Sequence, residues 1–176
     1  FTLDVTPVND APTVIIPDEQ RTVLEDGSVD INFTISDIDG DTNFTLSAAS
    51  DNINLVPNAN IQFSGSGTSR IMTITPAPDA NSTNTGKNAQ ITVSAKDLGN
   101  ETGTDYITII VTPQADGPTI SDISDQTINE GETALAGFNV NDIDSSVLIV
   151  TVNESSPSNL INKFNIIDCT DVSFDC

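Results

Sequence analysis

Val29-Asp30-Ile31-Asn32-Phe33-Thr34-Ile35-Ser36 runs straight into Asp37-Ile38-Asp39-Gly40-Asp41, and this stretch decides the fold. Its apolar residues alternate with polar ones, the period-2 pattern of a strand with one buried face. The Asp/Gly run that follows closes the strand with a loop. Working outward, Thr13 to Ile16 and Arg21 to Leu24 are β-prone pieces split by Pro17-Asp18-Glu19-Gln20, which predicts one broken first strand. Glu25 to Ser28 is a turn by composition. After the Asp loop, Phe44, Leu46 and Ala48 restart the alternation. Ile53 to Val56 and Ile61 to Phe63 are expected as short edge strands, bounded by Pro57 and Gly65. Ile71 to Ile74 is apolar on both faces and is expected to be central, Pro76 to Gly86 is a loop, and Ile91, Val93 and Ala95 alternate again. Asp97 to Asn100 turns the chain into an apolar run, Tyr106 to Val111. About seven short strands with no helical period predict an antiparallel β-sandwich.

The chain is also a repeat. Thr6-Pro7-Val8-Asn9-Asp10-Ala11-Pro12-Thr13 returns as Thr112-Pro113-Gln114-Ala115-Asp116-Gly117-Pro118-Thr119. With one gap, Glu25 matches Glu130, Asp37 matches Asp142 and Asp39 matches Asp144. Each copy reads as a joint, and the roughly 105 residues between joints suit one sandwich module. The division expected is therefore 1–8 as the closing strand of a preceding module, 9–113 as a complete module, and 114–176 as the N-terminal part of a following one. On this reading the chain is a piece of something longer.

Twenty-six acidic residues against five basic ones give a net charge of -21. Nucleic acid and anionic membrane surfaces both need Lys/Arg clusters, so neither is an expected partner. Most of these carboxylates need no reading beyond solubility, but their clustering at matched positions invites cations. No stretch is apolar enough to span a membrane. With no His, no Gly-x-Ser-x-Gly and no phosphate loop, nothing supports a nucleophile–base enzyme, and none is expected. Asn32, Asn43, Asn81, Asn100 and Asn153 begin Asn-x-Ser/Thr triplets at about the frequency that chance provides.

In a sandwich whose joint ends near Thr6, the loops after the second and sixth strands share the N-terminal pole. That brings Asp37, Asp39 and Asp97 toward Asp10. Converging carboxylates repel unless a cation sits among them, and a hard dication taking six to eight oxygens suits such a set. Softer metals lack ligands here, with no His and two cysteines. Asp37, Asp39 and Asp41 occupy positions 1, 3 and 5 of an EF-hand loop. That pattern fails at position 6, which is Thr42 instead of Gly, and at position 12, which is Ala48 instead of Glu.

The joint Val8-Asn9-Asp10-Ala11-Pro12, the Asp37-Ile38-Asp39 loop and the turn Ala95-Lys96-Asp97-Leu98-Gly99 resemble cadherin-like tandem repeats, of the kind found in very large bacterial surface proteins. The resemblance runs to about Val152. It implies an Ig/cadherin-like sandwich with calcium between modules, held at the first joint by Asp10, Asp37, Asp39 and Asp97 with the Asn9 carbonyl. For the second joint it implies Asp116, Asp142 and Asp144, joined by Glu25. The Leu-Asp-Arg-Glu element of animal cadherins is missing, and Asp79 is a loose positional stand-in. The resemblance further implies a stalk or spacer module of an extracellular surface protein, stiffened by calcium and supporting adhesion. Its partners would be neighbouring modules of the same protein, with homotypic or surface protein and glycan contacts. The alternative is a calcium-dependent glycan- or protein-binding module. An extracellular address also allows a disulfide between Cys169 and Cys176, which requires the chain to reverse between them. Partners elsewhere in a longer chain, or two free buried thiols, remain the other readings of these residues.

Overall fold

A computed structural model describes residues 1–145 and 148–151, and the chain divides into two compact units, Phe1–Gln114 and Ala115–Cys176. The first unit holds eight strands: β1 (Thr13–Ile15), β2 (Gln20–Leu24), β3 (Val29–Ser36), β4 (Thr45–Ser50), β5 (Ile61–Ser66), β6 (Ser69–Ile74), β7 (Ala89–Lys96) and β8 (Thr102–Thr112). They form two four-stranded sheets, ordered β1-β3-β6-β5 and β2-β8-β7-β4. Ile31, Phe33, Ile35, Met72 and Ile74 of one sheet meet Ile91, Val93, Ile107, Ile109 and Val111 of the other in a single core. Phe33 and Phe63 pack edge to face with ring centroids 6.0 Å apart.

The alternation in β3 and β7 is realised, with Ile31, Phe33 and Ile35 of β3 and Ala89, Ile91, Val93 and Ala95 of β7 buried. The first strand is split as expected. β1 pairs with β3 in one sheet, then the chain crosses at Pro17 and β2 joins the other sheet beside β8. Asp105 of β8 secures the crossing by accepting the Ile16 N–H at 2.8 Å. All pairings in the two sheets are antiparallel except β2–β8, which is parallel. A one-face pattern cannot distinguish these directions; the crossover decides it, because β2 re-enters in the direction β8 is leaving.

Ile53 to Val56 is not an edge strand. It is a turn whose Leu55 and Val56 are both fully buried, and adjacent residues of a one-faced strand cannot both point inward. β5 does lie at a sheet edge and β6 in the interior of its sheet, as expected.

In the second unit, β9 (Thr119–Ile120) pairs antiparallel with β10 (Val140–Asn141). Its register, Thr119 opposite Asn141, is the counterpart of Thr13 opposite Ser36 in the first unit. Around Leu135 no strand forms, and none of the described residues of this unit is buried. No helix among the described residues is long and apolar enough to cross a membrane. Cys169 and Cys176 lie outside the described residues.

Candidate metal centre

Three pieces of register build one pole of the first unit. Thr13 opposite Ser36 sets the joint beside the loop that leaves β3, while Thr45 and Thr102 both sit opposite Lys96, the last residue of β7. The β3–β4 loop, the β7–β8 turn and the joint therefore converge. Two glycines let the joint lie flat on the β7–β8 hairpin. A Cβ at Gly103 would overlap the Pro12 carbonyl oxygen, and one at Gly99 would overlap the Asn9 side chain.

Within this pole, carboxylate oxygens of Asp37, Asp41 and Asp97 all lie within 4.8 Å of one another. Asp97 is buried and well held: its Oδ1 accepts the Glu101 N–H at 2.9 Å and its Oδ2 accepts the Asn9 amide at 3.0 Å. Asp37 uses Oδ1 to accept the Asp39 N–H at 2.8 Å. Its Oδ2 is buried and accepts no hydrogen bond among the described residues. A buried carboxylate oxygen without a donor is costly, and one facing two further carboxylates is more so. Calcium fits this set. At Ca–O distances of about 2.3–2.6 Å, ligands on opposite sides of one ion are roughly 5 Å apart. Asp37, Asp41 and Asp97 are the residues that would hold it.

The sequence expectation is thus redistributed. Asp37 and Asp97 come together, but the third carboxylate is Asp41, which sequence reasoning met only as a member of the failed EF-hand pattern. Its signal was the two-residue spacing from Asp39. Asp39 instead accepts the Asp10 N–H at 2.7 Å, tying joint to loop, and the Asp10 side chain is exposed. The Asn9 side chain meets the cluster through its NH2, which donates to Asp97.

The same frame recurs in the second unit. Asp144 accepts the Asp116 N–H at 2.6 Å and Asp142 accepts the Asp144 N–H at 2.9 Å. Glu25, assigned by resemblance to the second joint, is fully buried in the first unit. It accepts the Gln114 N–H at 2.7 Å and the Asn81 amide at 3.1 Å. Nearby, Asp79 and Asp26 approach each other, the Asp79 N–H reaching Asp26 at 3.5 Å. Lys87 is exposed and paired with Asp51 at 2.9 Å.

No protein-family model and no curated protein matches this chain. Among solved structures, it is similar to domains 4 and 5 of the S-layer protein SbsC, at 14% identity over 60% of this chain and 53% of that one, with a TM-score of 0.39. It is similar to titin domain M7 at 13% identity over 62% of this chain and 100% of that one, TM-score 0.41. The Ig1-2 module of the Drosophila receptor tyrosine phosphatase DLAR matches at 11% identity over 65% and 57%, TM-score 0.41. The first unit's own strand order defines its class: an immunoglobulin-like β-sandwich with a split first strand. The joint and its hydrogen-bonded loop, present in both units, make the chain a tandem one.

Proposed function

We propose that this chain is a spacer segment of a long extracellular surface protein, with calcium at the poles where its joints meet its modules. The observation that carries the reading is Asp37, whose Oδ2 is buried without a donor and whose carboxylate lies within 4.8 Å of those of Asp41 and Asp97 at the pole the joint crosses. Mechanically, the carboxylates repel without the ion and the joint is free to lift from the β7–β8 turn. With the ion, the β3–β4 loop and Asp97 are drawn together, and Asp97 and Asp39 hold Asn9 and Asp10 against the module. The bound cation supplies charge neutralisation; the chain's own residues supply the orientation. Neighbouring modules of the same protein are the partners this implies, and support of adhesion is the role.

Titration calorimetry of the 176-residue chain with calcium tests this. Saturable binding is expected with a dissociation constant of roughly 0.1–1 mM, typical of extracellular modules. Heat that does not saturate at millimolar calcium, or binding unchanged in Asp37→Asn, refutes the reading.

A further inference from the structure

Bordering the acidic pole through Thr42, which follows Asp41 directly, the sandwich is open between two edge strands, β4 of one sheet and β5 of the other. A pocket of about 320 Å³ occupies this opening, with Leu46 and Phe63 on its apolar side and Thr42, Asn43 and Ser64 among its polar groups. Arg70 enters it. Arg70 lies opposite both Phe33 and Gly65 in the β-sheet register, and cross-strand partners share a face, so it stands on the inner face beside a core phenylalanine. Gly65, with φ of 86°, lies so close to the neighbouring main chain that a Cβ would stand 2.8 Å from the Ser69 carbonyl oxygen.

The Arg70 side chain makes no hydrogen bond or ion pair among the described residues, and its Nε is buried. By contrast, Arg21 and Lys87 are both ion-paired. A guanidinium with its Nε occluded presents its two Nη groups, the fork that takes a carboxylate in two parallel hydrogen bonds. No carboxylate lines this pocket, in a chain with 26 acidic residues.

We infer that the β4–β5 pocket is a subsite for a carboxylated sugar. The carboxylate meets Arg70, the ring face rests on Phe63 and Leu46, and the hydroxyls meet Thr42, Asn43 and Ser64. The volume sits at the small end of ligand pockets, about 300 Å³, which suits one ring of a larger glycan.

The test is an amide-shift titration of the full chain in calcium-free buffer without a carboxylate chelator, using glucuronate, glucose and acetate as probes. Glucuronate is expected to give saturable shifts at Thr42, Asn43, Gly65 and Gly67. Affinity should fall about tenfold or more in Arg70→Met and partly recover in Arg70→Lys, the scale of one charge-assisted pair. Arg70→Met keeps the apolar stem and removes an unsatisfied donor, so its melting temperature should not fall, which separates binding from folding. Shifts elsewhere only, equal affinity in Arg70→Met, or glucose or acetate binding as tightly as glucuronate would each overturn the inference. Tighter binding of an acidic peptide at the same residues would overturn it as well.

Discussion

Asp41→Asn should change sign with calcium. Asp41 makes no hydrogen bond among the described residues, so its loss as a charge removes no structural contact, yet its oxygen lies within 4.8 Å of Asp37 and Asp97. At that separation one pair of charges repels by about 1 kcal/mol in water and about 3 kcal/mol at an effective dielectric constant of about 20. Asp41 is half exposed, so relief of its two repulsions should stabilise the calcium-free protein by about 1–2 kcal/mol. In calcium the balance reverses. For a dissociation constant of about 0.1–1 mM, 10 mM ion stabilises the wild type by about 1.4–2.7 kcal/mol through mass action. In a unit this size, about 4 °C of melting temperature per kcal/mol makes that a rise of roughly 5–10 °C, most of which Asp41→Asn should lose. Paired thermal scans with calcium and with chelator decide it. A wild-type melting temperature indifferent to calcium would refute the argument. So would an Asp41→Asn variant destabilised equally in both conditions, since that describes a structural residue.

Gly103→Ala places a Cβ on the Pro12 carbonyl oxygen, so the joint must lift. The expected outcome is a loss of about 1–3 kcal/mol and a weaker calcium response, read by the same scans. Glu25→Ala leaves the buried Asn81 amide and the Gln114 N–H without their acceptor. Chemical denaturation should show a loss of about 2–4 kcal/mol; a change under 1 would mean water reaches both donors. The Asp51 carboxyl is held below its ordinary value of 3.8 by hydrogen bonds from Lys87 and the Gln90 N–H. A depressed acid contributes stability above its unfolded value that is lost as pH falls through the folded one. Lys87→Met should therefore lose a few tenths of a kcal/mol at neutral pH and progressively less as pH falls below 3.8 through the folded value, the pair being solvent-exposed. Amide exchange should be slow in β3, β6, β7 and β8 and fast in residues 115–145, where nothing described is buried. Comparable protection in both would contradict the burial.

By itself the sequence determined the layer architecture. The alternations in Val29–Ile35 and Ile91–Ala95 are one-faced and too regular for anything but strands, and Pro17 breaks the first strand where the chain changes sheets. It determined the joint too, because a motif that returns with its acids in register can only mark equivalent places. What it left open were matters of direction and distance. The parallel β2–β8 pair depends on which way the crossover runs. The burial of Leu55 and Val56 depends on a turn folding inward, which period-2 reading cannot register. Which carboxylates meet was likewise decided by tertiary structure. Asp39 and Asp41 sit two apart in a loop with no strand periodicity. Only the Asp10 N–H, seating itself on Asp39, leaves Asp41 beside Asp37 and Asp97. Arg70 reads in sequence as an ordinary strand-end charge. Its register opposite Phe33 and Gly65 is what turns it inward and leaves its donors unmatched.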